Sequence, residues 1–119
     1  DAHNCMVVGT RDASGPAEMA AAVARLGEIG GGQVAVLDGR VLAEIALPIG
    51  GLMSPQPAAA VAQGTETVKR AAHDALGVTI EAPFMQLSFL GLSVIPHLRI
   101  TDQGLVDVDR FALTDVTAP

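Results

Sequence analysis

Two runs rich in aliphatic side chains, Gln33 to Leu37 and Val41 to Leu47, are separated only by the step Leu37-Asp38-Gly39-Arg40. Asp-Gly between β-rich segments is the strongest short-range hairpin signal, because both central residues must tolerate positive φ. That step commits the middle of the chain to an antiparallel pair. Along the second run Val41, Ala43, Ile45 and Leu47 are expected on one face, with Glu44 on the other. The residues before the hairpin read as a helix. Pro16 sits where a first helical residue belongs, Glu18 favours the dipole, and Met19, Val23, Leu26 and Ile29 recur at helical spacing. Gly30-Gly31-Gly32 ends this helix, one glycine taking the left-handed C-terminal position. Upstream, Cys5 to Val8 is a continuous apolar run that reads as a strand covered on both faces, followed by a turn at Gly9-Thr10-Arg11-Asp12.

After the hairpin, Pro48 to Pro57 is a loop containing Gly50-Gly51-Leu52-Met53-Ser54. A second helix is expected from about Ala58 to Leu76, its buried stripe formed by Val61, Thr65, Val68, Ala72 and Leu76. Gly77 stops it, and Val78 to Ile80 suits a short strand. The first half of Pro83 to Pro96 fits a short buried helix and the second half an entering strand; periodicity does not decide between them. Val94, Pro96, Leu98 and Ile100 then alternate with Ile95, His97 and Arg99. Thr101-Asp102-Gln103-Gly104 is a turn, Leu105 to Val108 a last short strand, and Phe111 and Leu113 are placed to dock back. This order predicts one domain over residues 1–119, of α/β (α+β) class: a two-layer sandwich with a mixed β-sheet, a β-hairpin and two main helices.

Composition narrows the function. The chain has 119 residues, half of them apolar and 17% charged, so a core can be buried and disorder is excluded. Its three aromatic residues are all Phe, so that core must be aliphatic. A net charge of -6 argues against nucleic acid as a partner. One cysteine allows neither an internal disulfide nor a Cys-rich zinc framework. No apolar run approaches the roughly 18 residues of a membrane-spanning helix. The chain opens at Asp1 with no initiator Met and no signal-like stretch, which reads as a piece of something longer.

The chemistry-bearing residues are sparse. His3, His73 and His97 form no His-x-His or His-x-x-x-His pair, and His73 and His97 read as solvated surface residues. The triple glycine follows a helix and precedes a strand, the reverse of a phosphate cradle. The Val7-Val8-Gly9-Thr10 turn has the right order but one glycine and no Lys, a weak ligand-facing loop. Ser54 is not in a nucleophile elbow, and Cys5 reads as an inert core thiol. Asp1-Ala2-His3-Asn4 differs in character. Asp1 and His3 point to the same side of an extended chain, where the carboxylate can orient the imidazole, and Asn4 adds a donor and an acceptor. A frayed terminus is the plainer reading of the same four residues.

These residues resemble the C-terminal domain of bacterial-type adenine deaminase, a member of the amidohydrolase superfamily. The resemblance runs from Asp1 to about Leu113. It rests on Asp1-Ala2-His3-Asn4 with Val7-Val8-Gly9-Thr10, Glu28-Ile29-Gly30-Gly31-Gly32, and Leu47-Pro48-Ile49-Gly50-Gly51-Leu52-Met53-Ser54. Pro83-Phe84-Met85-Gln86-Leu87-Ser88-Phe89-Leu90, Val94-Ile95-Pro96 and Gly104-Leu105-Val106-Asp107-Val108 extend it. Ala2 stands where the family has Ser, and Gly50 and Gly91 where it has Ala. The resemblance implies a cytoplasmic hydrolase that converts adenine and water to hypoxanthine and ammonia. Its divalent metal, Mn or Fe or Zn, activates the water and is bound by a TIM-type barrel, with no ligand in this segment. It further implies the barrel of the same chain as partner and a homo-oligomer, with no nucleic acid and no membrane. Asp1, His3 and Asn4 become candidates for substrate orientation or proton relay, and Met53 and Ser54 for a substrate-proximal loop. The other class of function is a non-catalytic module for oligomerisation, or one that binds a small ligand at the Gly9-Thr10 turn.

Overall fold

The computed structural model describes residues 4–117. Its contacts divide into two compact units, one of Val7–Pro83 and one of residues 84–117 with residues 4–6. Among the described residues there are three helices and two small antiparallel sheets, an α+β fold with the expected hairpin and two main helices.

In the first unit, helix α1 spans Gly15–Glu28 and the hairpin strands β1 and β2 span Gly32–Leu37 and Arg40–Ala46. Helix α2 spans Ala58–Asp74. The hairpin turn falls at Asp38-Gly39, both with positive φ, as the sequence demands. The close of α1 is a Schellman motif: Gly31 N–H donates to the Leu26 carbonyl and Gly30 N–H to the Gly27 carbonyl. Its start is held by Asp12, whose Oδ1 accepts from the Ser14 and Gly15 N–H groups and from the Ser14 and Thr10 hydroxyls.

Both faces of the hairpin are covered. Ala35 and Val36 are adjacent, point to opposite faces, and are 2% and 8% exposed. On one face Glu44 reaches Arg25 of α1; on the other Ile45 lies against Gly64 of α2, so closely that a Cβ at Gly64 would stand 2.9 Å from Ile45 Cδ1. Val68, fully buried, and Ala72 complete the α2 side.

The register corrects the strand face read from the sequence. Val36 pairs with Val41 while Ala35 pairs with Ala43, leaving Leu42 as an extra residue. This bulge moves Val41 off the face shared by Ala43, Ile45 and Leu47, and Val41 is exposed. On α1 the buried side chain is Ala22, and Val23 is exposed, because the small side chain lets the helix approach the sheet closely. On α2 Thr65 faces solvent, its hydroxyl donating to the Val61 carbonyl, and Gly64 takes the inner position.

Two strand expectations fail for one reason: a strand needs a neighbour to take up its backbone groups. Cys5 to Val8 has no ladder, and Cys5, Val7 and Val8 are exposed, so Cys5 is not a core thiol. Val78 to Ile80 has none either; Val78 N–H donates instead to the Ala72 carbonyl. Without a strand at Cys5 to Val8 there is no parallel partner, so pairing is antiparallel rather than mixed among the described residues.

In the second unit, helix α3 spans Pro83–Leu90, followed by β3 (Leu98–Thr101), β4 (Gly104–Asp107) and β5 (Ala112–Leu113) in one antiparallel sheet. The first half of the Pro83 to Pro96 stretch is helical as expected but not buried, with Met85 and Phe89 exposed; its second half forms turns and the strand starts only at Leu98. Of residues 84–117, Val108 alone is buried.

Candidate functional site

Asp1 and His3, with Ala2 between them, lie outside the described residues. Asn4 is described and exposed. The Met53-Ser54 loop is described in full. It is closed by a reciprocal pair of hydrogen bonds, Ile49 N–H to the Met53 carbonyl at 3.1 Å and Met53 N–H to the Ile49 carbonyl at 3.2 Å. Leu52 N–H also donates to the Ile49 carbonyl, so the turn is tight and internally satisfied.

This turn is anchored from below by the glycines that end α1. Leu47 N–H donates to the Gly31 carbonyl at 2.9 Å, and a Cβ placed on Gly31 would stand 2.8 Å from Gly51 Cα. Backbone meets backbone there, which leaves no room for a side chain. The outcome is a fixed turn with Ile49, Leu52 and Met53 exposed at its tip. Ser54, half-buried, accepts from Gln56 N–H through its hydroxyl. No acid or base among its hydrogen-bond partners activates it, so the turn offers shape and apolar surface rather than a nucleophile.

The Gly9-Thr10 turn is occupied by its own structure. Thr10 Oγ1 donates to Asp12, a Cβ on Gly9 would collide with Met19, and one on Gly15 would stand 2.1 Å from the Thr10 carbonyl oxygen. The Asp12 carboxyl is held below its ordinary value by hydrogen bonds, first from Ser14 and then from Thr10. These bonds join residues two and three apart, and the run Thr-x-Asp-x-Ser before Gly-Pro is the local signal that could have revealed them.

The charged groups form one clear cluster. Arg25 of α1 binds Glu44 through Nε and a terminal nitrogen, each at 2.7 Å, and Glu28 through the other terminal nitrogen at 2.7 Å. The Arg25 hydrogen bonds hold the Glu44 carboxyl below its ordinary value, and the carboxylates raise the guanidinium further. Of the two described histidines, His97 is exposed as expected and pairs with Asp109 through Nδ1. His73 is not a solvated residue: it is half-buried, and its Nε2 is covered and unpaired among the described residues. Arg99 is likewise half-buried, bonded to the Leu98 and Pro96 carbonyls. No group of three His, Cys, Asp or Glu among the described residues is placed to hold a metal ion.

Comparison with known proteins gives a single family. The family model described as the adenine deaminase C-terminal domain matches residues 1–112. An adenine deaminase of Brucella anthropi is 55% identical over 112 residues, which is 94% of this chain and 19% of that protein. Adenine deaminase 1 of Agrobacterium fabrum is 55% identical, and that of Rhizobium meliloti 57%, each over 113 residues, 95% of this chain and 19% of theirs. The chain thus spans about a fifth of the length of the curated relatives it matches. No solved structure matches it.

Proposed function

We propose, from the premise that this chain belongs to the adenine deaminase C-terminal domain family, that it serves as the accessory C-terminal lobe of a longer adenine deaminase. That enzyme is a cytoplasmic hydrolase taking adenine and water to hypoxanthine and ammonia. The observation that carries this reading is the match to residues 1–112 by a domain model, combined with relatives about five times as long. One model spanning both compact units favours treating residues 1–119 as a single domain of that enzyme.

The reaction needs a water made nucleophilic at neutral pH, which a divalent cation supplies by lowering its pKa. The described residues do not fit such a cation. Manganese, iron or zinc is assigned to the barrel of the longer chain, as the family resemblance implies. The contribution of this segment is to position and to enclose. The fixed Ile49 to Met53 turn, with Met53 and Ser54, suits one wall of the substrate entrance, where an apolar tip excludes water from a flat purine. Asp1, His3 and Asn4 suit substrate orientation or proton relay, the carboxylate setting the tautomer of the imidazole.

The test is turnover of adenine by the full-length polypeptide. Hypoxanthine and ammonia are expected only while divalent metal is present, and none from the segment alone. His3→Ala in the full-length protein is expected to lose well over about tenfold in kcat/KM if His3 acts on substrate or proton. A rate within about twofold of the parent assigns it a structural role. Metal-independent turnover, or none at all on adenine, overturns the reading.

A further inference from the structure

The sheet of β3, β4 and β5 turns an apolar face outward. Its register places Leu98, Asp107 and Ala112 in one row and Ile100 with Leu105 in the next, all on the same face. Leu98 and Ile100 are 49% and 51% exposed. At the turn entering β5, Phe111 is 92% exposed with a φ of 50°, a region that bulky residues rarely occupy. A large aromatic side chain left in water is the residue type that anchors an interface once a pocket covers it.

We infer that this face is the seat of the remaining polypeptide of an adenine deaminase, with Phe111 as the anchor. The inference rests on the accessory-lobe reading above and adds which surface meets the rest of the enzyme. Its first support is energetic. Fixing each residue of a chain costs conformational entropy, and of residues 84–117 only Val108 is fully buried in return, the rest being half-buried or exposed. A permanent cover over Leu98 and Ile100 would supply the burial that this region lacks. The second support is electrostatic and concerns what the cover is. Asp107 stands between Leu98 and Ala112 in the middle of the face. A two-fold contact with a second copy would bring two such aspartates together and remove both from water. A heterologous cover avoids both costs by bringing an apolar pocket for Phe111 and a Lys or Arg for Asp107. Relatives five times as long have the chain to provide it.

The experiment is thiol labelling of Ile100→Cys in the full-length polypeptide, with the labelled peptide located by mass spectrometry. The reference is the same chain unfolded in urea, and Leu98→Cys is a second probe on the same face. Labelling at least about 100-fold slower in the native protein is expected, unchanged over a tenfold range of protein concentration. Phe111→Ala added to Ile100→Cys is expected to raise the native rate by at least about tenfold. A native rate within about threefold of the unfolded one overturns the inference, as does protection that fades on dilution, the mark of a second copy. Adenine turnover in the same samples separates the two readings: activity with open thiols sinks the interface alone, whereas protected thiols without activity sink the deaminase function and leave the interface standing.

Discussion

The hairpin of β1 and β2 and the sheet of β3 to β5 are both small and antiparallel, but they are covered differently. The hairpin has fewer strands, yet α1 lies over one of its faces and α2 over the other, and Ala35, Val36, Ile45 and Val68 are buried between them. The three-stranded sheet keeps Leu98, Ile100 and Leu113 exposed. Strand number therefore does not set which region is self-supporting. An isolated hairpin is marginal in water, and what stabilises this one is the pair of helices packed across it.

The comparison is broken or sharpened most strongly at Val68. A carboxylate at that fully buried position has no partner, so Val68→Asp is expected to cost more than about 4 kcal/mol and to unfold residues 7–83. Val108→Asp, just past β4, is expected to cost less than about half as much: Val108 is buried, but its neighbours in the sheet are half-buried or exposed and can yield to let water reach the new charge. Urea denaturation followed by circular dichroism measures both. Equal losses would mean that the second unit holds a core of its own, and the contrast would fail.

Two glycines make the next test. Gly32 and Gly104 open β1 and β4 and have φ of 140° and 124°. A Cβ on Gly32 would stand 2.0 Å from the Ile45 carbonyl oxygen, whereas one on Gly104 meets nothing nearer than Leu113 Cδ2 at 3.9 Å. Alanine at Gly104 pays only for its dihedral angles, about 1–2 kcal/mol. At Gly32 the backbone of β2 must also move, and about 3 kcal/mol or more is expected. Melting temperatures should rank the two variants in that order, and a reversed order would show that the hairpin yields more readily than its packing implies.

The same contrast explains what was legible in the sequence. The Asp38-Gly39 turn, the glycine close of α1 at Gly30 and Gly31 and both long helices are written in local signals a few residues long. Each appears where those signals put it. Cys5 to Val8 and Val78 to Ile80 carry equally good strand composition, but a strand is completed by its neighbour, and no local pattern says whether one is there. A single extra residue at Leu42 turns Val41 to the opposite face, since one residue of slip exchanges the faces of a strand. The candidate site was legible in part. The Met53-Ser54 loop could be named from sequence, but its rigidity comes from the contact of Gly31 with Gly51, twenty residues apart and invisible to periodicity. The pairing of Arg25 with Glu44 is equally non-local, and each residue alone reads as an ordinary solvated charge.

That ion pair gives the smallest expected effect and a specific pH signature. Glu44 is held below its ordinary value near 4.5, chiefly by the Arg25 hydrogen bonds, with charge attraction adding and partial burial opposing. A carboxyl whose folded pKa is depressed contributes stability that is fully present above its unfolded value. The contribution is lost as pH falls through the lower, folded one. Both side chains are about a third exposed, so the solvent-screened contribution is about 0.5–1 kcal/mol at neutral pH. Glu44→Gln is expected to lose that amount near pH 7, and the difference from the parent should shrink as the solution is acidified below pH ~4. High salt should reduce it as well, because the pair is only partly shielded from the solvent. A difference that persists unchanged in acid would mean that Glu44 acts through packing against α1 rather than through its charge. The hairpin would then owe its α1 face to shape alone, as it already does on the α2 face where Ile45 meets Gly64.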